Sequence, residues 1–215
     1  MKISGFQDTL DWYQANAQSY TKGYYKYGKG SELEAFTKLI PKAGKVLDAG
    51  CAAGRDSKYL VDEGLNITGI DLVEAFITQA KRHVPKGIFL QGSFLNLPFD
   101  DEALDGVWSN ASLLHFETIE EVQKALQEFH RVLKKNGALY VNVKAQMGDE
   151  KFNVVKDALS NHNRFFQFFT LEEIKHYIEE AAFEIITIEQ YNEKEKHPNI
   201  GREEVDWIWC LARKR

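Results

Sequence analysis

The sequence predicts an α/β domain on a mostly parallel sheet, and three observations predict it. Residues 45–56, KVLDAGCAAGRD, read as a short apolar strand, a glycine-bearing turn and the first residues of a helix. The helix that follows ends at Gly64 and gives way to Asn66-Ile67-Thr68-Gly69-Ile70-Asp71, a β-prone run closing on an acid. Strand, helix and strand in that order make a βαβ unit, with a right-handed crossover and parallel strands. Beyond it, short apolar runs go on alternating with amphipathic helical patterns, as expected where helices pack on a parallel sheet.

Bulk properties narrow the class further. At 215 residues the chain fits one domain, residues 1–215, with a substantial core. Hydrophobic residues make up 44% and charged residues 27%, values typical of a globular protein. The apolar runs fall short of a membrane span, and the N-terminal MKISGFQDTLDWYQ lacks the apolar core of a signal peptide. A cytoplasmic address without a membrane partner is therefore expected. A net charge of −5 provides no global positive field, so no nucleic-acid partner is expected. Cys51 and Cys210 show no C-x-x-C spacing and are read as reduced. The six histidines contain no H-x-x-x-H pair, and no metal is expected.

Taken in order, Phe6, Leu10, Tyr13, Ala17 and Tyr20 recur at spacings of four and three, one face of a helix. Residues 21–30 combine glycines with tyrosines and read as a loop, so residues 1–30 form either a helix and lid or a cover for one sheet edge. Ser31 and Glu34 have the spacing of a capping box, Leu33, Phe36 and Ile40 form the buried stripe, and Pro41 stops the helix. After the βαβ unit come a third strand at Ile88-Phe89-Leu90-Gln91 and a fourth at Leu104 to Ser109. Thr118 and Glu121 form a second capping box, whose helix is expected to end at Asn136-Gly137, with a fifth strand from Ala138 to Val143. The pattern from Lys144 to Asn163 is polar and ambiguous, so residues 145–169 read as an insertion over the site. Its end, Arg164-Phe165-Phe166-Gln167-Phe168-Phe169, suits a substrate pocket and core packing equally. Thr170 and Glu173 cap the last helix, and Phe183 to Gln190 and Val205 to Ala212 close the chain as an antiparallel pair.

A glycine turn at the head of a helix can hold an anionic group on backbone N–H groups. A dinucleotide fingerprint would need glycine where Ala52 and Arg55 stand. A phosphate loop fails too, because Gly50 and Gly54 are one residue too close and no Lys-Ser/Thr follows. Taken alone, the turn also fits an ordinary strand-to-helix junction. Two roles fit Asp71 at the end of the second strand: acceptor of both hydrogen bonds from a ribose diol, or N-cap of the next helix.

Val46 to Gly54 resembles the first motif of the S-adenosylmethionine-dependent methyltransferases, a hydrophobic strand followed by D/E-x-G-x-G-x-G, with Ala52 at the middle glycine. Gly92 to Phe99 resembles that family's stretch after the third strand, with Ser93 in place of an acid before the Leu-Pro-Phe turn. Trp108 to His115 resembles the W-x-x-x-S-L-L-H run of small bacterial methyltransferases, including relatives of the tellurite-resistance type. The [DN]-P-P-[YF] of amino-methylating DNA enzymes is absent there.

The resemblance implies a class I, Rossmann-like three-layer sandwich with a seven-stranded sheet whose last strand is antiparallel beside the fifth. It implies S-adenosyl-L-methionine as cofactor. The cofactor-binding residues would be Asp48, Gly50, Cys51, Ala52, Gly54 and Arg55 around the turn, Asp71 and Leu72 near the ribose, and Ser93 and Phe94 near adenine. Asn110 and Ala111 would follow the fourth strand, with Tyr13 and Tyr20 closing over the site. Tyr24, His115, Lys144, Arg164, Phe165 and Phe169 would line a pocket for a small-molecule acceptor. His115 would be either its base or a residue that shapes it. A dinucleotide oxidoreductase is disfavoured by Ala52 and Arg55. A protein methyltransferase and a non-catalytic cofactor-binding module stand as alternatives.

Overall fold

The computed structural model describes residues 5–24, 30–156, 163–199 and 201–215. Helix α1 (Gly5–Tyr24) and α2 (Ser31–Thr37) precede the alternating core of β1 (Lys45–Ala49), α3 (Arg55–Asp62), β2 (Asn66–Asp71), α4 (Glu74–His83) and β3 (Ile88–Gln91). Next come β4 (Leu104–Asn110), a single 3-10 turn (Leu113–His115), α5 (Ile119–Val132) and β5 (Leu133–Lys144). A hairpin of β6 (Phe152–Lys156) and β7 (Asn163–Gln167) leads to α6 (Leu171–Glu180), β8 (Phe183–Asn192), α7 (Glu193–Lys196) and β9 (Asp206–Lys214).

The main sheet has seven strands in the order β3-β2-β1-β4-β5-β9-β8. The first five strands run parallel, and β9 is antiparallel to both β5 and β8. Period-two alternation sends neighbouring residues to opposite faces. Leu47 and Val107 pack with Leu126, Phe129 and Ile178 from α5 and α6, whereas Val46 and Trp108 pack with Leu33, Phe36 and Leu60 from α2 and α3. The result is the expected Rossmann-like layering of helices, sheet and helices. The order reverses between β1 and β4, so their carboxyl ends diverge and open a crevice. Among the described residues no helix is long and apolar enough to cross a membrane.

Several local expectations are corrected. The helix at the N-terminus runs on through Thr21 to Tyr24 instead of giving way to a loop, and residues 25–29 of the expected lid lie outside the described residues. Gly30, in extended backbone, occupies the N-cap of α2; Ser31 is already helical, so the Ser31–Glu34 capping box does not form and the Ser31 hydroxyl donates to Glu32 instead. Helix α5 stops at Val132, and Asn136-Gly137 falls inside β5, where Asn136 takes a φ of 63°. Pairing explains this: Leu133 opposes Leu104 and Ala138 opposes Gly106, so the residues between them on β5 bulge out of the ladder. The polar insertion is a two-stranded sheet of its own, with Phe152 opposite Gln167 and Val155 opposite Arg164.

Candidate active site

The turn after β1 is held by the end of β2. Gly50 and Cys51 both donate backbone N–H groups to the Ile70 carbonyl, at 2.8 and 3.1 Å. Gly50 has a φ of +83°, and a Cβ there would lie 2.4 Å from Cβ of Ser112, so only glycine keeps the turn open. Ala52 donates its N–H to Oδ2 of Asp71 at 3.0 Å, while Oδ1 of Asp71 accepts from Val73 N–H at 2.9 Å. Asp71 thus staples the two strand ends together. Burial pushes its carboxyl up to about 6, against the pull of backbone N–H groups from Val73, Ala52 and Leu72. The helix N-cap is Val73, so Asp71 supports the entry to α4 from outside the capping position.

This turn floors an open-mouthed cavity. The sheet-side wall contains Gly50, Ala52, Asp71, Leu72, Phe94, Asn110 and Ala111, with Ser112, His115 and Phe116 beyond β4. Phe6, Thr9, Leu10, Tyr13 and Tyr20 of α1 form the facing wall, together with Val73 and Phe76. Tyr13 packs edge-on against Tyr20 with ring centres 5.1 Å apart, and both rings lean on Phe76. Ten of the residues singled out from the sequence therefore meet around one space.

The other predicted residues lie behind it. Asp48 is buried beneath the turn and accepts from the Ser57 hydroxyl at 2.5 Å; burial, then the charge of Asp56, pushes its carboxyl up to about 7. Cys51 packs with Ile77, Ala80, Val84 and Phe89, and burial raises its thiol well above the usual range. Gly54 caps α3 against Val84 and Ala80. Ser93 accepts the Leu95 N–H at 3.2 Å and stabilises its own turn. Phe169 is fully buried in the core beside α6 rather than at a pocket surface. Tyr24 ends α1, and its side chain lies outside the described residues.

Arg55 belongs to a buried network that no sequence motif announces. Its Nε donates to Oδ1 of Asp56 at 2.7 Å, and Oδ2 of Asp56 accepts from Nε1 of Trp108 at 3.0 Å and Nδ2 of Asn110 at 2.8 Å. Asn142 on β5 donates to Oδ1 of Asn110 at 2.9 Å. Burial would raise Asp56, but Arg55 and these donors outweigh it and hold the carboxyl below the usual carboxylate range. The network fixes the side chain of Asn110 at the carboxyl end of β4.

His115 has both ring nitrogens in use. The Phe165 carbonyl lies 3.0 Å from Nδ1, and a carbonyl only accepts, so Nδ1 carries the hydrogen and Nε2 keeps a lone pair. The Tyr13 hydroxyl is 3.4 Å from Nε2 and itself accepts from Nη1 of Arg164 at 2.9 Å. Burial pulls His115 down to about 3, with the charges of Arg164 and Lys144 adding to the effect and the Phe165 bond opposing it. Lys144 is buried with its Nζ 3.8 Å from the centre of the Phe166 ring, and Arg164 sits 5.1 Å from the same ring. Thr9 and Phe76, which also line the cavity, carried no functional signal, being one polar and one apolar residue on helices of ordinary pattern.

The family model described as "Methyltransferase domain" matches residues 47–141, the stretch from β1 into β5. Malonyl-[acyl-carrier protein] O-methyltransferase of Enterobacter lignolyticus is 29% identical over 133 residues, 59% of this chain and 52% of that protein. The stretch from β1 into β5 is thus a methyltransferase domain, and the matches together support a class I S-adenosylmethionine-dependent methyltransferase. It spans about half the length of the curated malonyl-[acyl-carrier protein] methyltransferases it matches. Among solved methyltransferase structures, a SAM-dependent methyltransferase of Methanosarcina mazei has a TM-score of 0.75 at 20% identity, covering 87% of this chain and 99% of that one. The 1,6-didemethyltoxoflavin-N1-methyltransferase of Burkholderia thailandensis, solved with bound 1,6-didemethyltoxoflavin and S-adenosylhomocysteine, has a TM-score of 0.71 at 19% identity, covering 100% of this chain and 92% of that one. These two show a shared methyltransferase fold, and the family's cofactor is S-adenosylmethionine.

Proposed function

We propose that this chain transfers a methyl group from S-adenosylmethionine to a small-molecule acceptor. The observation that carries the reading is one enclosure holding the glycine turn, the carboxylate of Asp71 and the imidazole of His115 under the aromatic face of α1. The residues fit the cofactor on their own terms: the absent side chain of Gly50 leaves space at the turn, and Asp71 faces the cavity with lone pairs beyond those its backbone donors use. Bound there, the cofactor supplies a methyl group on a cationic sulfur, already activated toward a nucleophile.

Asp71 accepts from the ribose hydroxyls, and Leu72 and Phe94 give adenine an apolar berth. The turn from Gly50 to Ala52 and the ends of β4 at Asn110 and Ala111 take the methionine portion. Arg55 serves this end at one remove, keeping Asp56 ionised so that Asn110 is held. Tyr13 and Tyr20 cover the site, exclude water and turn aromatic faces toward positive charge. His115 is cast as a residue that shapes the acceptor side of the cavity, its ring held by the Phe165 carbonyl and the Tyr13 hydroxyl; full proton uptake is opposed by its burial and by Arg164 and Lys144. The β6–β7 hairpin, within residues 145–169, forms the acceptor side. The small-molecule reading draws support from the toxoflavin-type enzyme, whose chain is matched over most of its length, whereas the malonyl-[acyl-carrier protein] relative acts on a carrier-bound acyl group.

Titration calorimetry tests the reading. S-adenosylmethionine and S-adenosylhomocysteine are expected to bind and NAD is not; binding of NAD alone would sink the proposal. Methyl transfer to peptides but to no member of a small-molecule panel would reassign the acceptor class, and adenosyl binding without any turnover would favour a binding module.

A further inference from the structure

We propose that strand β7 couples the helix covering the cavity to the imidazole inside it, with Thr9 and Tyr13 as positioning residues for His115. The inference extends the functional reading above, which gives His115 its task.

The joint is built around two consecutive residues of β7. Phe165 donates its N–H to Oγ1 of Thr9 at 2.9 Å and accepts from Nδ1 of His115 at 3.0 Å. A single peptide residue is thus bonded to α1 on one side and to the imidazole on the other. Thr9 is buried, and its hydroxyl donates to the Gly5 carbonyl at 2.6 Å, so its lone pair is aimed at β7. Gly5 lets the helix come this close, since a Cβ there would lie 2.8 Å from the Phe165 side chain. Arg164, the residue before, donates to the Tyr13 hydroxyl at 2.9 Å, and that hydroxyl's one proton lies between two acceptors, Nε2 of His115 at 3.4 Å and Tyr20.

One nitrogen of His115 is therefore bonded to a peptide that Thr9 of α1 holds from the other side, and the second faces the Tyr13 hydroxyl of α1 itself. A neutral imidazole has two tautomers, and only the one protonated at Nδ1 offers a lone pair at Nε2. Residues of α1 make one wall of the cavity. Lifting the helix releases Thr9 from Phe165 and Tyr13 from both Arg164 and His115 in one movement. Docking of α1 consequently fixes the tautomer and the orientation of His115, with the Phe165 carbonyl at Nδ1 and the Tyr13 hydroxyl at Nε2. The charged groups facing the ring are Arg164 from β7 and Lys144 from β5, and both favour its neutral form in either tautomer.

The test is nitrogen NMR of the histidine-labelled full chain at pH 7, with and without S-adenosylhomocysteine, in the natural protein and in Thr9→Val, Thr9→Ser and Tyr13→Phe. The natural protein is expected to hold His115 with its hydrogen on Nδ1 when S-adenosylhomocysteine is bound. Loss of one such hydrogen bond shifts a ratio by about fivefold, so Thr9→Val and Tyr13→Phe should each move His115 toward the other tautomer by that order. Thr9→Ser, which keeps the hydroxyl, should retain the natural ratio. A ratio unchanged in both Thr9→Val and Tyr13→Phe, or natural His115 protonated on Nε2, would overturn the coupling. Thermal melts check that each variant is folded. Failure of S-adenosylhomocysteine to bind the natural protein would instead defeat the functional reading, and the ratios in the ligand-free proteins would still decide whether Thr9 and Tyr13 position the ring.

Discussion

The two walls of the cavity are held by contacts of very different separation in sequence. On the sheet side, Ala52 and Asp71 are bonded across 19 residues of sequence, inside one βαβ unit whose parallel ladder fixes them. On the α1 side, Thr9 and Phe165 are 156 residues apart and Tyr13 and Arg164 are 151 apart, and each pair is joined by a side-chain hydrogen bond. Interior strands whose ends are stitched by backbone amides resist opening, whereas a docked helix can be released by breaking a few bonds. In the proposed reading Gly50 and Asp71, assigned to the cofactor, belong to the strand-stitched wall, and Thr9 and Tyr13, assigned to positioning His115, belong to the helix.

The sharpest way to break this contrast is Gly50→Ala. The added Cβ meets Ser112 in left-handed backbone, and strain of ~1–3 kcal/mol should appear in urea unfolding while S-adenosylhomocysteine binding falls below calorimetric detection. A variant that binds normally would remove the turn from the site. Next is Asp71→Asn, where loss of charged hydrogen bonds worth ~1.5–3 kcal/mol should weaken binding by ~10–100-fold. A carboxylate accepts both diol hydrogens and a carboxylic acid does not. Affinity in the natural protein should therefore be flat above neutrality and fall as pH drops through about 6, and calorimetry across pH should find the Asp71→Asn variant flat.

Double-mutant cycles sharpen the comparison at smaller amplitude. Tyr13→Phe and Arg164→Met share one hydrogen bond and should couple by ~0.5–1.5 kcal/mol in stability, whereas Tyr13→Phe and Asp71→Asn, on opposite walls, should add within ~0.5 kcal/mol. Additivity in the first cycle would mean the α1 wall is not held through Tyr13. The smallest effect belongs to Thr118→Ala, which removes a capping box whose two residues do not line the cavity and should cost ~1 kcal/mol of stability without altering S-adenosylhomocysteine affinity. A change in affinity there would show that the sheet wall is less rigid than its ladder suggests.

How far the molecule could be read in advance follows the same division. Thr118 with Glu121 and Thr170 with Glu173 form the boxes their spacing announces, because a cap involves only residues three apart. Ser31 with Glu34 has the same spacing and fails, since Gly30 takes the extended N-cap position. Asn136-Gly137 looks like a helix end but lies in a bulge, because pairing of β5 with β4 begins at Leu133 and overrides the turn preference. The phenylalanines near residue 165 read identically as letters, yet Phe165 turns its backbone to Thr9 and His115 while Phe169 fills the core.

By itself the sequence determined the βαβ unit, the alternation that layers helices on a parallel sheet, the glycine turn and the acid at the end of the second strand. Those features rest on backbone sterics and on periods of two and 3.6 residues, which act over short separations. Only the tertiary structure decided that Thr9 meets Phe165, that Tyr13 stands between Arg164 and His115, and that Arg55 turns to Asp56 in a network with Trp108 and Asn110. Such meetings depend on how finished elements dock and on which buried polar groups must find partners, and no local pattern in the chain encodes either.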